Sequence, residues 1–172
     1  MIASFPKHGF FMSTWGFENY LAKGEPIFEA ILMDKKPLFV IGNVEALDLD
    51  VLPNNIANPT FYRLLPEDEK VLRENYIHHW GKIYVPGKQF KNLAPQSPVT
   101  FEILIDGVYT FEAAGPAELN GSPVQPGDKV FLKQGHHTMI AEETEQTANL
   151  RFGSDLYLPR ETAPAAQIYF GF

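Results

Sequence analysis

The sequence predicts an α+β protein, with an N-terminal α/β (βαβ-like) segment over residues 1–94 and a small antiparallel β-sandwich domain over 95–172. Three observations carry this prediction. Fourteen prolines and thirteen glycines in 172 residues exceed average usage and favour short elements joined by turns. Up to residue 94, apolar residues recur at helical spacing between short runs of strand formers, whereas from Val99 they alternate with a period of two. Asp106-Gly107 and Asn120-Gly121 then fall between such alternating runs, where each predicts a two-residue hairpin with both central residues at positive φ.

Taken in order, Gly9-Phe10-Phe11-Met12-Ser13 is an apolar run with strand character. Trp15 to Ala22 and Pro26 to Met33 have helical spacing. Pro26 suits a first helical turn, and Phe28, Ile31 and Leu32 share one face. Pro37-Leu38-Phe39-Val40-Ile41 is a run of strand formers, so the order strand, helices, strand predicts a βαβ unit with parallel pairing. Asp48 to Pro59 is polar and rich in Pro and Asn, hence a loop. Pro66-Glu67-Asp68-Glu69 opens a helix with proline at its first position and acids at the positive end of the dipole. This helix ends between Asn75 and Trp80. Lys82 to Val85 follows as a strand closed by Pro86-Gly87, and Lys91 to Pro98 marks a boundary.

Val99, Phe101, Ile103 and Ile105 then alternate with Thr100, Glu102 and Leu104, leading through Asp106-Gly107 into Val108 to Phe111. Turns at Asn120-Gly121, Pro126-Gly127-Asp128 and Gly135 separate further strands. Ala148 to Phe152 and Leu156 to Leu158 complete the series. Six or more short strands at about ten-residue spacing describe a sandwich or half-barrel.

Charge and composition exclude several classes. The net charge of −7 divides into −1 over residues 1–94 and −6 over 95–172, without a Lys/Arg cluster, so nucleic acid is not a partner. No cysteine is present, which removes disulfides, thiolate zinc sites and cysteine nucleophiles. The nucleotide, dinucleotide and serine-hydrolase loop signatures are missing. His78-His79 and His136-His137 do not have the one-face spacing of a zinc helix, and no metal, cofactor or catalytic residue is assigned. Glu142, Glu143 and Glu145 fit a solvated turn, and Asn120-Gly121-Ser122 is a turn rather than a glycosylation acceptor. Trp80, Tyr84, Tyr109 and Phe111 form a candidate sugar-stacking platform.

Ligands of parallel α/β units gather beyond the carboxyl ends of strands. The corresponding loops offer Ser13, Thr14, Trp15, Glu18 and Asn19 after the first strand, and Asn43 and Glu45 after the second. Their hydroxyl, amide and carboxylate groups suit a sugar, with Trp15 to stack on it. The same residues equally suit helix caps and turns.

Phe11-Met12-Ser13-Thr14-Trp15-Gly16-Phe17-Glu18-Asn19-Tyr20-Leu21, the run Pro37 to Ile41, Leu64-Leu65-Pro66 with Asn75-Tyr76, and Trp80 to Lys88 precede the hairpin series. Together they resemble the soluble C-terminal region of bacterial multi-pass membrane glycosyltransferases of the protein-mannosyltransferase and aminoarabinose-transferase-like group, which use polyprenyl-phosphate sugars. Leu119-Asn120-Gly121 and Leu132-Lys133-Gln134-Gly135-His136 echo the two characteristic strand phrases of that group's β unit. The resemblance implies a non-catalytic periplasmic accessory domain, packed on the membrane-embedded part of the same protein or touching acceptor, glycan or polyprenyl-phosphate sugar. The group's catalytic acids lie in its membrane part, so none is carried over. The competing expectations are a free-standing carbohydrate-binding module and a small glycan-active enzyme using Glu18.

Overall fold

The computed structural model describes residues 14–42, 49, 64–157 and 159. Among them are three helices and two antiparallel sheets, the mixed α+β class the sequence predicts. Helix α1 spans Thr14–Lys23 and α2 Phe28–Lys35. Strand β1 is Val40–Ile41, α3 is Pro66–Asn75, and β2 (Tyr76–Trp80) and β3 (Ile83–Leu93) follow directly. The expected first strand at 9–13 and most of the expected loop at 48–59 lie outside the described residues. Strand β1 pairs antiparallel with β3, through Val40 opposite Tyr84 and Ile41 opposite Ile83.

The remaining strands are β4 (Val99–Ile103), β5 (Gly107–Ala113), β6 (Ala117–Leu119), β7 (Ser122–Val124), β8 (Lys129–Leu132), β9 (Gly135–Ala141) and β10 (Gln146–Phe152). One sheet runs β1-β3-β10-β5-β8 with β2 also on β3, and the other runs β4-β9-β6-β7. Between them lies a core contributed by both, including Phe90, Ile103, Phe111, Leu119, Leu132, Met139 and Leu150. The helices pack a second core around Tyr20, Phe28, Leu32, Leu72, Tyr76 and Tyr84.

Strand β3 corrects the expected stop at Pro86-Gly87, because it continues through both to Leu93. Its partner changes there from β2 (Tyr76 opposite Pro86) to β10 (Arg151 opposite Gly87), so β2 and β10 lie end to end along it. A proline lacks a ladder donor, and a changeover of partners is where that loss costs least. At Gly87 an added Cβ would stand 2.6 Å from the Leu150 carbonyl oxygen, so only glycine allows β10 and Ile77 so close.

The two dipeptides expected to form hairpins behave differently. Asn120 (φ 53°) and Gly121 (φ 78°) join β6 to β7, with Leu119 opposite Ser122, as a type I′ hairpin requires. Asp106-Gly107 does not form a hairpin, because β4 pairs with β9 and β5 pairs with β8 and β10. The chain crosses between sheets there, and Gly107 opens β5 without positive φ. Its glycine is needed for space, since a Cβ would fall 2.4 Å from the Phe152 ring. Leu156 and Tyr157, expected in a strand, belong to none.

Helix α3 begins with Pro66 in its first turn, ahead of three acids. One of those acids turns inward. Asp68 is fully buried, and its carboxylate accepts the Ile27 N–H at 3.0 Å, the Phe28 N–H at 2.7 Å and the Tyr20 hydroxyl at 2.6 Å. Ile27 stands at the N-cap of α2 with no side-chain acceptor, so a carboxylate from α3 satisfies amides that would otherwise be orphans. The Tyr20 oxygen in turn accepts the Leu65 N–H at 2.7 Å. Burial and the bond to Asp68 raise the Tyr20 phenol above the ordinary tyrosine range.

Replacing Asp68 by Ala strands two amides and a hydroxyl, and is expected to lower the unfolding free energy by about 2–4 kcal/mol; Asp68→Asn, which keeps one acceptor, should lose less. Urea denaturation followed by circular dichroism checks both. Gly87→Ala should destabilise by about 1–3 kcal/mol and more than Gly107→Ala, because it meets backbone where Gly107→Ala meets a ring that can turn.

Candidate functional site

Along β3 the side chains of Tyr84, Pro86, Lys88 and Phe90 fall on one face. Tyr84 belongs to the helical core and Phe90 to the sandwich core, which leaves Lys88 at the seam between them. Its ammonium donates to Asn75 Oδ1 at 2.9 Å, and Asn75 Nδ2 donates to the Val71 carbonyl at 2.8 Å. Lys88 thus places a positive charge beside the last turn of α3, where the helix dipole favours a cation. Burial nevertheless holds this ammonium down to about 8, against opposing pulls from the Glu74 and Glu102 carboxylates.

A cleft of about 10 Å³ opens at the same seam, lined by Asn75, Tyr76, Lys88, Ile103, Leu104 and Tyr109 among others. That is room for about one water, whereas small-molecule sites occupy about 300–1,000 Å³. The two phenols there are committed to the fold: Tyr76 donates to the Pro37 carbonyl at 2.7 Å and Tyr109 to that of Ile105 at 2.9 Å. Burial raises both above the ordinary range. The arrangement bolts helix to sandwich.

Two further polar clusters lie on the sandwich. On the large sheet, Arg151 grips Glu112 with Nε to Oε1 at 2.6 Å and Nη2 to Oε2 at 3.0 Å, and its Nη1 donates to the His78 carbonyl at 2.7 Å. On the small sheet, Asn120 Oδ1 accepts the Thr138 N–H at 3.0 Å and the Asn120 N–H donates to the Thr138 carbonyl at 2.9 Å. The His137 ring completes this corner. Its Nε2 faces the Lys133 carbonyl at 2.8 Å and must carry the proton, so Nδ1 accepts from Asn120 Nδ2 at 2.8 Å. Phe101 stacks on the same ring at 5.7 Å.

Of the residues proposed to bind a ligand, Thr14, Trp15, Glu18 and Asn19 lie in helix α1 rather than in a loop after a strand. Glu18 and Asn19 are exposed on it. Ser13, Asn43 and Glu45 lie outside the described residues. The aromatic platform is corrected: Tyr84, Tyr109 and Phe111 are at most 1% exposed, and no sugar can stack on rings that form the two cores. The histidine pairs stand on β2 and β9, in different sheets. No group of three His, Asp or Glu with metal-holding geometry occurs among the described residues.

Lys88, Asp68 and the Arg151–Glu112 pair are the polar residues that sequence reasoning missed. Alternation through Pro86-Gly87 would have placed Lys88 inward with Tyr84 and Phe90, but that dipeptide reads as a stop. Asp68 lies three and four residues before Val71 and Leu72, on the apolar face of the helix, a helical-period signal hidden by its place in a run of three acids. No family model, curated protein or solved structure matches the chain.

Because Lys88 gives up its proton near pH 8 in the folded chain but at about 10.5 when unfolded, the unfolded state binds more protons between those values. Its contribution therefore rises with pH across that window. Relative to Lys88→Met, the wild-type chain should gain unfolding free energy from pH 7 to pH 10, with tyrosine ionisation cancelling in the difference. Urea denaturation of both proteins at each pH checks this, and a flat difference would place the ammonium in water.

Proposed function

We propose that the chain is a non-catalytic accessory domain on the periplasmic side of a bacterial membrane glycosyltransferase, packing on the membrane-embedded part of the same protein or contacting its acceptor or glycan. One observation carries this reading. The two phrases that echo the resembled group's β unit, Leu119-Asn120-Gly121 and the strand entered from Leu132 through Gly135, meet at the corner that Asn120, Thr138 and His137 hydrogen-bond together. Leu119 and Leu132 are both buried in the sandwich core.

The polar chemistry fits a domain that presents a shape. Asp68 and Lys88 each hold one element against another, Tyr76 and Tyr109 bond backbone carbonyls, and His137 is held between a side chain and a carbonyl. In this reading sugar transfer belongs to the membrane part, and the domain fixes geometry beside it.

The reading frame upstream of the Met1 codon is expected to continue through about ten apolar spans, each near 20 residues. A stop codon with a ribosome-binding site directly upstream overturns the reading. In parallel, the 172-residue chain incubated with a polyprenyl-phosphate sugar should release no sugar from it; turnover would overturn the non-catalytic assignment.

A further inference from the structure

Where β10 ends against the start of β2, the chain must leave the sheet, and it does so at Gly153, whose φ of 105° is open to glycine. The next residues run back over the structure under several restraints. The Gly153 N–H donates to the Val108 carbonyl at 2.7 Å, and Thr110 Oγ1 donates to the Gly153 carbonyl at 2.7 Å. Asp155 takes the Lys129 ammonium at 2.7 Å. Finally His79 Nε2 meets the Tyr157 carbonyl at 3.1 Å, tying the far end to β2.

That last bond depends on the charge of the ring. Its partner is a carbonyl oxygen, so Nε2 carries the proton and the neutral ring is the ε tautomer. The other nitrogen, Nδ1, is buried and has no hydrogen-bond partner among the described residues. A second proton on Nδ1 would find no acceptor among them and would feel the repulsion of the Arg151 guanidinium. Three charged or titratable groups bear on the ring: Arg151 from β10, Glu112 from β5 and His78 beside it on β2. Glu112 already grips Arg151 through two of its nitrogens, at 2.6 and 3.0 Å.

We propose that Ser154–Tyr157 is a pH-released strap, latched to β2 by the neutral His79 ring and freed when that ring swings into water to take up a proton. Burial first, and Arg151 second, hold the His79 pKa below the ordinary histidine value, opposed by the Tyr157 carbonyl and Glu112. The sign follows. The released ring binds its proton near pH 6.5 and the latched ring only at lower pH, so the latch is fully closed above that value and weakens as the pH falls through it. The root at Gly153 and the Asp155–Lys129 pair stay held by bonds that do not titrate in this range, which confines the release to Leu156 and Tyr157.

Nuclear magnetic resonance of the full chain between pH 7.5 and pH 5.0 tests this directly. The His79 ring should titrate below 6.5, and the heteronuclear NOEs of Leu156 and Tyr157 should fall toward flexible values by the acid end while those of Leu150 and Phe111 stay rigid. At pH 5.5 the ratio of free to latched strap should rise by up to about tenfold over its value at pH 7.5, the limit for a ring that titrates at about 6.5 only when released. His79→Gln, neutral throughout, should abolish the pH dependence, and His78→Gln should keep it. A His79 ring titrating at or above 6.5, a pH dependence surviving in His79→Gln, or a loss of order that includes Leu150 would each overturn the proposal.

Discussion

The structure depends on one strand serving two cores. Strand β3 is eleven residues long, and its single inward face covers the helices with Tyr84 and the second sheet with Phe90 and Leu93. To do this it must stay regular through Pro86-Gly87 while its neighbour changes from β2 to β10. Glycine at 87 admits the Leu150 carbonyl and the Ile77 side chain to positions that any Cβ would take. The two layers are therefore joined by a continuous backbone ladder, which is stiffer than a linker with two faces resting on each other.

Around that strand, buried charge is placed where helix ends need it. A carboxylate from α3 covers the exposed amides of α2, and an ammonium from β3 reaches the closing turn of α3 through Asn75. Each group thus carries the sign the neighbouring helix terminus favours. Both tie together elements far apart in sequence: Asp68 lies 40 residues from Phe28, and Lys88 lies 13 from Asn75. Removing either would uncouple layers as well as expose a terminus. The surface pairs, such as Lys70 with Glu74, contribute little by comparison.

The sequence revealed most where structure is set locally. The α3 start at Pro66, the type I′ turn at Asn120-Gly121 and the alternation from Val99 all follow from the φ preferences and periodicity of nearby residues. It misled where distant neighbours decide. Asp106-Gly107 has the composition of a hairpin, yet its glycine answers to the Phe152 ring 45 positions away in the chain. Pro86-Gly87 has the composition of a stop, yet it marks an exchange of partners. Asp68 shares a helix face with Leu72 four residues on, yet only the packing of α2 on α3 gives its carboxylate the amides it accepts. The helical spacing read from Trp15 to Ala22 is met by α1, which takes in Thr14 to Asn19.

The strand order also sets a timetable. Strand β10 is the last of the described strands to be synthesised, yet it lies between β3 and β5 in the larger sheet. Until it emerges, β3 and β5 have no ladder between them, and Phe90 and Phe111 lack Ala148 and Leu150 to pack against. The local hairpins, β2 with β3 and β6 with β7, can close early, because their contacts are short in sequence. The decisive folding step joins residues about 60 positions apart in a single insertion, Lys88 registering with Leu150. A ribosome that pauses before that point holds a chain with two open sheet edges, the state in which a nascent β protein is most exposed to pairing with the wrong strand.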